Sequence, residues 1–137
     1  MEKAFTDAGR RIDPRNVVLI EEKSSDAGYD AAGQLLAHNP NITAICAIND
    51  LTAIGAVRAV FDSGRSVPDE VSVIGFDDLW LARHYNPPLT TVAQPLDRLG
   101  QLATQTLLER ISHPKRAMKG ATLKPSLVVR RSTAQLK

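Results

Sequence analysis

The stretch Gly64-Arg-Ser-Val-Pro-Asp-Glu-Val-Ser-Val-Ile-Gly-Phe-Asp-Asp78 decides how this chain is read. Gly64 and Pro68 punctuate a turn. Val71 to Phe76 is a short apolar run, the pattern of a strand covered on both faces. Two carboxylates stand just past its last residue. In an open α/β sheet, ligands are held in the crevice outside the carboxyl ends of the strands. Asp77 therefore falls where a ligand would be held, with Gly75 and Phe76 walling one side. The preceding unit repeats the plan: Thr43 to Ile48 is an apolar run, and Asn49-Asp50 follows it directly.

Outward from these two units the chain alternates. Asn49 or Asp50 caps a helix over Leu51 to Ser63, stopped by Gly64. Asp26 caps another that runs to about His38, with Tyr29, Ala32, Leu35 and Leu36 on its apolar face. Asn39-Pro40-Asn41 breaks it. Before it, Val17 to Ile20 reads as a strand and Glu2 to Ala8 as a short helix ended by Gly9. Helix, strand, helix, strand, helix, strand is the pattern of an α/β fold: a parallel sheet flanked by helices, with right-handed crossovers.

The second half is less regular. Leu79 to Tyr85 forms a short helix or turn, Pro87-Pro88 imposes extended backbone, and Thr90 to Gln94 is a short strand. Pro95 suits the first turn of a helix reaching Ile111, whose stripe comprises Leu96, Leu99, Leu102, Ala103, Thr106, Leu107 and Leu108. Leu123 to Arg131 is a last strand, bent or on an edge at Pro125.

The chain has 137 residues, 43% apolar and 23% charged, which suits one domain with a core built from aliphatic side chains. A net charge of +2 is too small to signal nucleic acid by itself. Lys115, Arg116, Lys119, Lys124, Arg130 and Arg131 read as a solvated basic face. Cys46 is the sole cysteine, so no internal disulfide forms; its place in an apolar run makes it buried and inert. No apolar run approaches a membrane span and no secretory segment opens the chain, pointing to the cytoplasm. His38, His84 and His113 lack metal-ligand spacing, and no phosphate loop or nucleophile elbow is present. No cofactor, metal or catalysis is expected. A phospho-receiver domain would need acids earlier in the chain than Asp77-Asp78 and a lysine after a late strand.

The runs Thr43 to Ala56 and Val67 to Asp78, with Pro87-Pro-Leu-Thr-Thr-Val92 and Leu127-Val-Val-Arg-Arg-Ser-Thr133, resemble the lactose/galactose repressor (LacI/GalR) family. The likeness is to the effector-binding domain, of periplasmic-binding-protein type I fold, and spans about Glu2 to Thr133. It implies a cytoplasmic DNA-binding regulator that senses a sugar or related small molecule between two subdomains. A solute-binding protein of the same fold is the alternative.

The resemblance also implies that these residues are a fragment, lacking the helix-turn-helix and most of the first subdomain. On that plan 1–94 form the second subdomain, 95–114 a helix crossing to the first, and 115–137 a returning strand and tail. With that partner absent, the leucine stripe of the crossing helix should pack on a second chain or fold back. The same resemblance carries ligand roles onto Asn49 and Asp77, while Asp50 reads better as a cap. Lys23 and Ser24 stand where the family often has an aromatic, which favours an anionic sugar derivative. A homodimer contact is implied for Ala53, Ala56, Val57, Val60, Trp80 and Tyr85.

Overall fold

A computed structural model of the chain describes residues 2–117 and 120–135; Lys119 of the basic run lies outside them. The order is α1 (Glu2–Asp7), a 3-10 turn (Pro14–Asn16), α2 (Ser25–His38), β1 (Ala44–Cys46), α3 (Asp50–Asp62), β2 (Ser72–Ile74), α4 (Trp80–His84), β3 (Thr91–Ala93), α5 (Leu96–Ser112) and β4 (Ser126–Val128). β1 and β2 run parallel with Ile45 opposite Val73. β3 and β4 run antiparallel with Val92 opposite Leu127.

A parallel bridge between Ile74 and Thr90 joins the two ladders. The Gly75 amide donates to the Thr90 carbonyl (3.0 Å) and the Asp77 amide to Val92 (2.9 Å), continuing that join. The expected α/β class holds. The last strand, however, returns antiparallel, and its tail is stitched back onto β2. The Val73 amide donates to the Ser132 carbonyl, the Ser132 hydroxyl donates to the Val73 carbonyl (2.6 Å), and Ser132 Oγ accepts from Thr90 N (2.8 Å). Ser132 is wholly buried, and these bonds satisfy it.

The core lies between α2, α3 and the strands: Ala32, Leu36, Ile45, Ala53, Val57, Val60, Val71, Val73 and Leu89. Each fully buried Val or Leu there stabilises the fold by about 1.5–3 kcal/mol. α2 and α3 approach closely at two glycines. A methyl group on Gly28 would sit 2.2 Å from the Thr52 carbonyl oxygen, and one on Gly55 would sit 1.9 Å from that of Ser25. No larger residue permits this approach.

Three expectations are corrected. Val17–Ile20 lies beside β1 without pairing to it. Cavities of about 580 and 360 Å³ flank the segment, and Leu19 is 91% exposed. Because that edge of β1 is uncovered, Cys46 is exposed rather than buried. The atoms around it still desolvate the sulfur enough to raise its thiol above the ordinary range. The third is narrowed to one of its two alternatives: α5 does not fold back, since none of its residues is buried and Leu96, Leu99, Leu107, Leu108 and Ile111 stand exposed.

Candidate functional site

Each site residue lies just beyond a strand or opens a helix. Asn49 follows β1 and N-caps α3. Its Oδ1 accepts from the Thr52 amide (2.9 Å), and the Thr52 hydroxyl oxygen accepts from the Asn49 amide (3.2 Å), completing a capping box. The cap consumes the acceptor of the Asn49 side chain and leaves Nδ2 outside the box. Ser24 does the same for α2, accepting from the Ala27 amide at 3.2 Å. It takes the capping role that the sequence suggested for Asp26, which lies within the first turn, where its charge suits the helix dipole. Close packing at Gly28 and Gly55 brings the first turns of the two helices together, Gly28 against Thr52 and Gly55 against Ser25. Lys23, exposed, precedes Ser24.

Asp50 is buried completely and acts as a structural hub. Its Oδ2 accepts from the Leu79 amide (2.7 Å), its Oδ1 from the Thr91 hydroxyl (2.5 Å), and its own amide donates to the Phe76 carbonyl (2.9 Å). One carboxylate thus ties the start of α3 to the β2–α4 turn and to β3; the cap suggested for Asp50 falls to Asn49 instead.

Asp77 and Asp78 both adopt positive-φ backbone, with φ of 108° and 53°. Such conformations cost roughly 1–3 kcal/mol each and persist only where the surroundings enforce them. Here Gln94 Nε2 donates to Asp77 Oδ1 (2.8 Å), Arg130 pairs with Asp78 Oδ1 (2.5 Å), and the Asp78 amide reaches Thr91 Oγ1 (3.4 Å). Gln94 sits past the end of β3 as Asp77 sits past β2. Its position after Thr90-Thr-Val-Ala93 was the available sequence signal, and sequence reasoning passed over it. Nothing local marked Arg130, which lies 52 residues from its partner.

The structure therefore places Asn49, Asp77 and Gln94 at the carboxyl end of the strands, the Asp50 amide meeting the Phe76 carbonyl and Gln94 meeting Asp77, while Lys23 and Ser24 stand at the start of α2, which packs on α3. Neither of the two cavities beside Val17–Ile20 is lined by Asn49 or Asp77; that end of the strands is an open rim. Neutral donors beside a partly exposed carboxylate suit a ligand rich in hydroxyls. Among the described residues no cluster of His, Cys, Asp and Glu could hold a metal ion, and no helix is long and apolar enough to cross a membrane.

The expected subunit contact is corrected in part. Ala53, Ala56, Val57 and Val60 form the inward stripe of α3 and are at most 2% exposed, so they cannot meet another chain. A stripe at the same helical spacing reads identically inward or outward until the partner layer is known. The outward stripe is Leu51, Ile54, Arg58 and Phe61. Trp80 is 71% exposed, stacked at 4.4 Å on His84. Tyr85 is half-buried and donates to the Ile54 carbonyl at 3.4 Å, and burial raises its phenol above the ordinary range.

A family model described as a periplasmic binding protein-like domain matches residues 1–133. The chain belongs to the periplasmic binding protein-like family. Its similar members are LacI-type regulators. The HTH-type transcriptional repressor PurR of Pasteurella multocida is 37% identical over 130 residues, 95% of this chain and 39% of the relative. The PurR of Erwinia tasmaniensis is 39% identical over 133 residues, 96% of this chain and 38% of the relative.

Among solved members of the family, the CelR transcriptional regulator in complex with cellobiose superposes with a TM-score of 0.88. It is 34% identical and covers 96% of this chain and 40% of that one. A LacI family regulator from Enterococcus faecium with bound ribose gives 0.76 at 35% identity, covering 85% of this chain and 42% of that one. The chain spans about 40% of the length of these family members.

Proposed function

We propose that the chain is the ligand-sensing and dimerising portion of a LacI-type transcriptional regulator of the cytoplasm, and not an enzyme. Asn49 and Asp77, with Ser24 and Lys23, take a sugar or sugar derivative. Asp77 accepts hydroxyl protons, Asn49 Nδ2 donates, and Lys23 meets an anionic substituent where one is present. DNA is reached through a helix-turn-helix domain outside these residues. Sensing requires only that the ligand bind one arrangement of the subdomains better than another. The placing of Asn49 and Asp77 beyond adjacent strand ends carries this reading, supported by the cellobiose and ribose bound in structural relatives. The outward faces of α3 and α4, with Trp80 and Tyr85, supply the homodimer contact.

The test is titration of the isotope-labelled chain with cellobiose, ribose and ribose 5-phosphate, read by NMR. At least one should shift the Ser24, Asn49 and Asp77 amides in wild type and not in Asp77→Ala. Shifts confined to other residues, or unchanged by Asp77→Ala, would refute the assignment.

A further inference from the structure

We propose that Arg130 is a positioning residue for the effector rim, holding Asp77 in place through Asp78. The inference rests on the reading of Asp77 as an effector residue. Asp77 and Asp78 occupy consecutive positive-φ positions; Asp78 at 53° lies in the left-handed range that Asp tolerates, but Asp77 at 108° lies outside it, so contacts from beyond the turn hold the pair. The turn makes contact with three elements. Asp77 N donates to Val92 of β3, Leu79 N donates to Asp50 of α3, and the Asp78 carboxylate pairs with Arg130. The first two bonds fix the ends of the turn. The middle is held by neutral side chains, Gln94 on Asp77 (2.8 Å) and Thr91 on the Asp78 amide (3.4 Å), and by the third contact, which among the described residues is the turn's one ion pair.

Arg130 is itself held at several points. Its Nη1 donates to the Leu89 carbonyl (2.8 Å), its amide donates to Thr90 Oγ1 (2.9 Å), and Nη2 reaches Asp78. The side chains of the pair are only 14% and 19% exposed, so water screens them little. Arg130 leaves the end of β4, and Leu89 and Thr90 lead into β3, the two strands between which α5 is inserted. The clamp therefore ties the turn to the Thr91–Val128 end of the β3–β4 ladder, the end remote from α5. A guanidinium is required for this, because one planar fork must serve a carbonyl and a carboxylate together. Arg131 is the natural control: adjacent, equally charged and exposed.

The experiment is amide hydrogen exchange by NMR, without ligand, on Arg130→Met, Arg130→Lys, Asp78→Asn and Arg131→Met. In Arg130→Met and Asp78→Asn, the Asp77 and Leu79 amides should exchange at least about tenfold faster, the factor for loss of one charge-assisted hydrogen bond. The Val57 and Val60 amides of α3 should not change. Arg130→Lys should recover part of the protection, and Arg131→Met should match wild type. Unchanged exchange at Asp77 and Leu79 would overturn the proposal, as would equal acceleration across α3 or the same effect from Arg131→Met. Failure of both Arg130→Met and Asp78→Asn to fold while Arg131→Met folds would also overturn it, by making the pair a global fold element. Localised acceleration with no response of wild type to cellobiose, ribose or ribose 5-phosphate would support the clamp and sink the effector reading instead.

Discussion

Replacing Asp50 separates two accounts of a buried carboxylate. If its value lies in satisfying neighbours, Asp50→Ala strands the Leu79 amide and the Thr91 hydroxyl, both bonded to it now at 2.7 and 2.5 Å. Each stranded buried donor costs about 1–3 kcal/mol, so the pair costs about 2–5 kcal/mol after part of the desolvation of the carboxylate is recovered. Asp50→Asn behaves differently. Its Oδ1 can still accept from Leu79, and the Thr91 hydroxyl can rotate to accept from Nδ2. Only the charge assistance is lost, about 1 kcal/mol.

For a chain of this size 1 kcal/mol moves Tm by roughly 3–5 °C. The alanine variant should therefore melt roughly 8 °C or more below wild type, and the asparagine variant roughly 4 °C below. Far-ultraviolet circular dichroism gives Tm, and Trp80, adjacent to Leu79, reports the turn by fluorescence. Equal losses for the two variants, or a loss under about 1 kcal/mol for Asp50→Ala, would show that hydrogen-bond satisfaction is not what Asp50 supplies.

Gly55→Ala sets a methyl group 1.9 Å from the Ser25 carbonyl oxygen and should destabilise by about 3 kcal/mol or more, whereas Gly100→Ala on α5, with nothing within 4 Å, should stabilise by roughly 0.5–1 kcal/mol. Urea unfolding of the two variants reads the contrast, and similar losses would contradict the close helix approach. In sedimentation, Trp80→Glu should dissociate a dimer built on α3 and α4, while Leu107→Glu should do so only if α5 supplies the contact; a monomeric wild-type chain would end both expectations. Arg15, by hydrogen bonds to Asp13, holds that carboxyl at about 2 against an ordinary 3.8. A depressed folded pKa contributes stability above the unfolded value that is lost as pH falls through the folded one. Asp13→Asn should therefore flatten the acid limb of stability between about pH 4 and pH 2, and no change there would show the pair to be fully screened.

The helices and the order of the units were legible in the sequence because both are local. Asn49 before Leu-Thr-Ala and Gly64 after Asp-Ser delimit α3 to within a residue of its observed span, Asp50–Asp62. The same locality placed Asn49 and Asp77 past apolar runs, and so at the sheet's carboxyl end.

Long-range relations were not legible. Apolar spacing chose the residues of the α3 stripe, Ala53, Ala56, Val57 and Val60, but did not say which layer they would face. Only packing against α2 and β2 made them interior and left Leu51, Arg58 and Phe61 outside. Val17–Ile20 has the composition of a strand, yet pairing depends on a neighbour's edge, and in the fold that edge stays open and exposes Cys46. Arg130 read as one of several basic residues until the fold brought it to Asp78. By itself the sequence determined the main helices, the chain order and the polar residues at strand ends, since these follow from short-range stereochemistry and periodicity. Tertiary structure alone decided which faces are buried and which distant charges meet, since both depend on contacts between segments far apart in the chain.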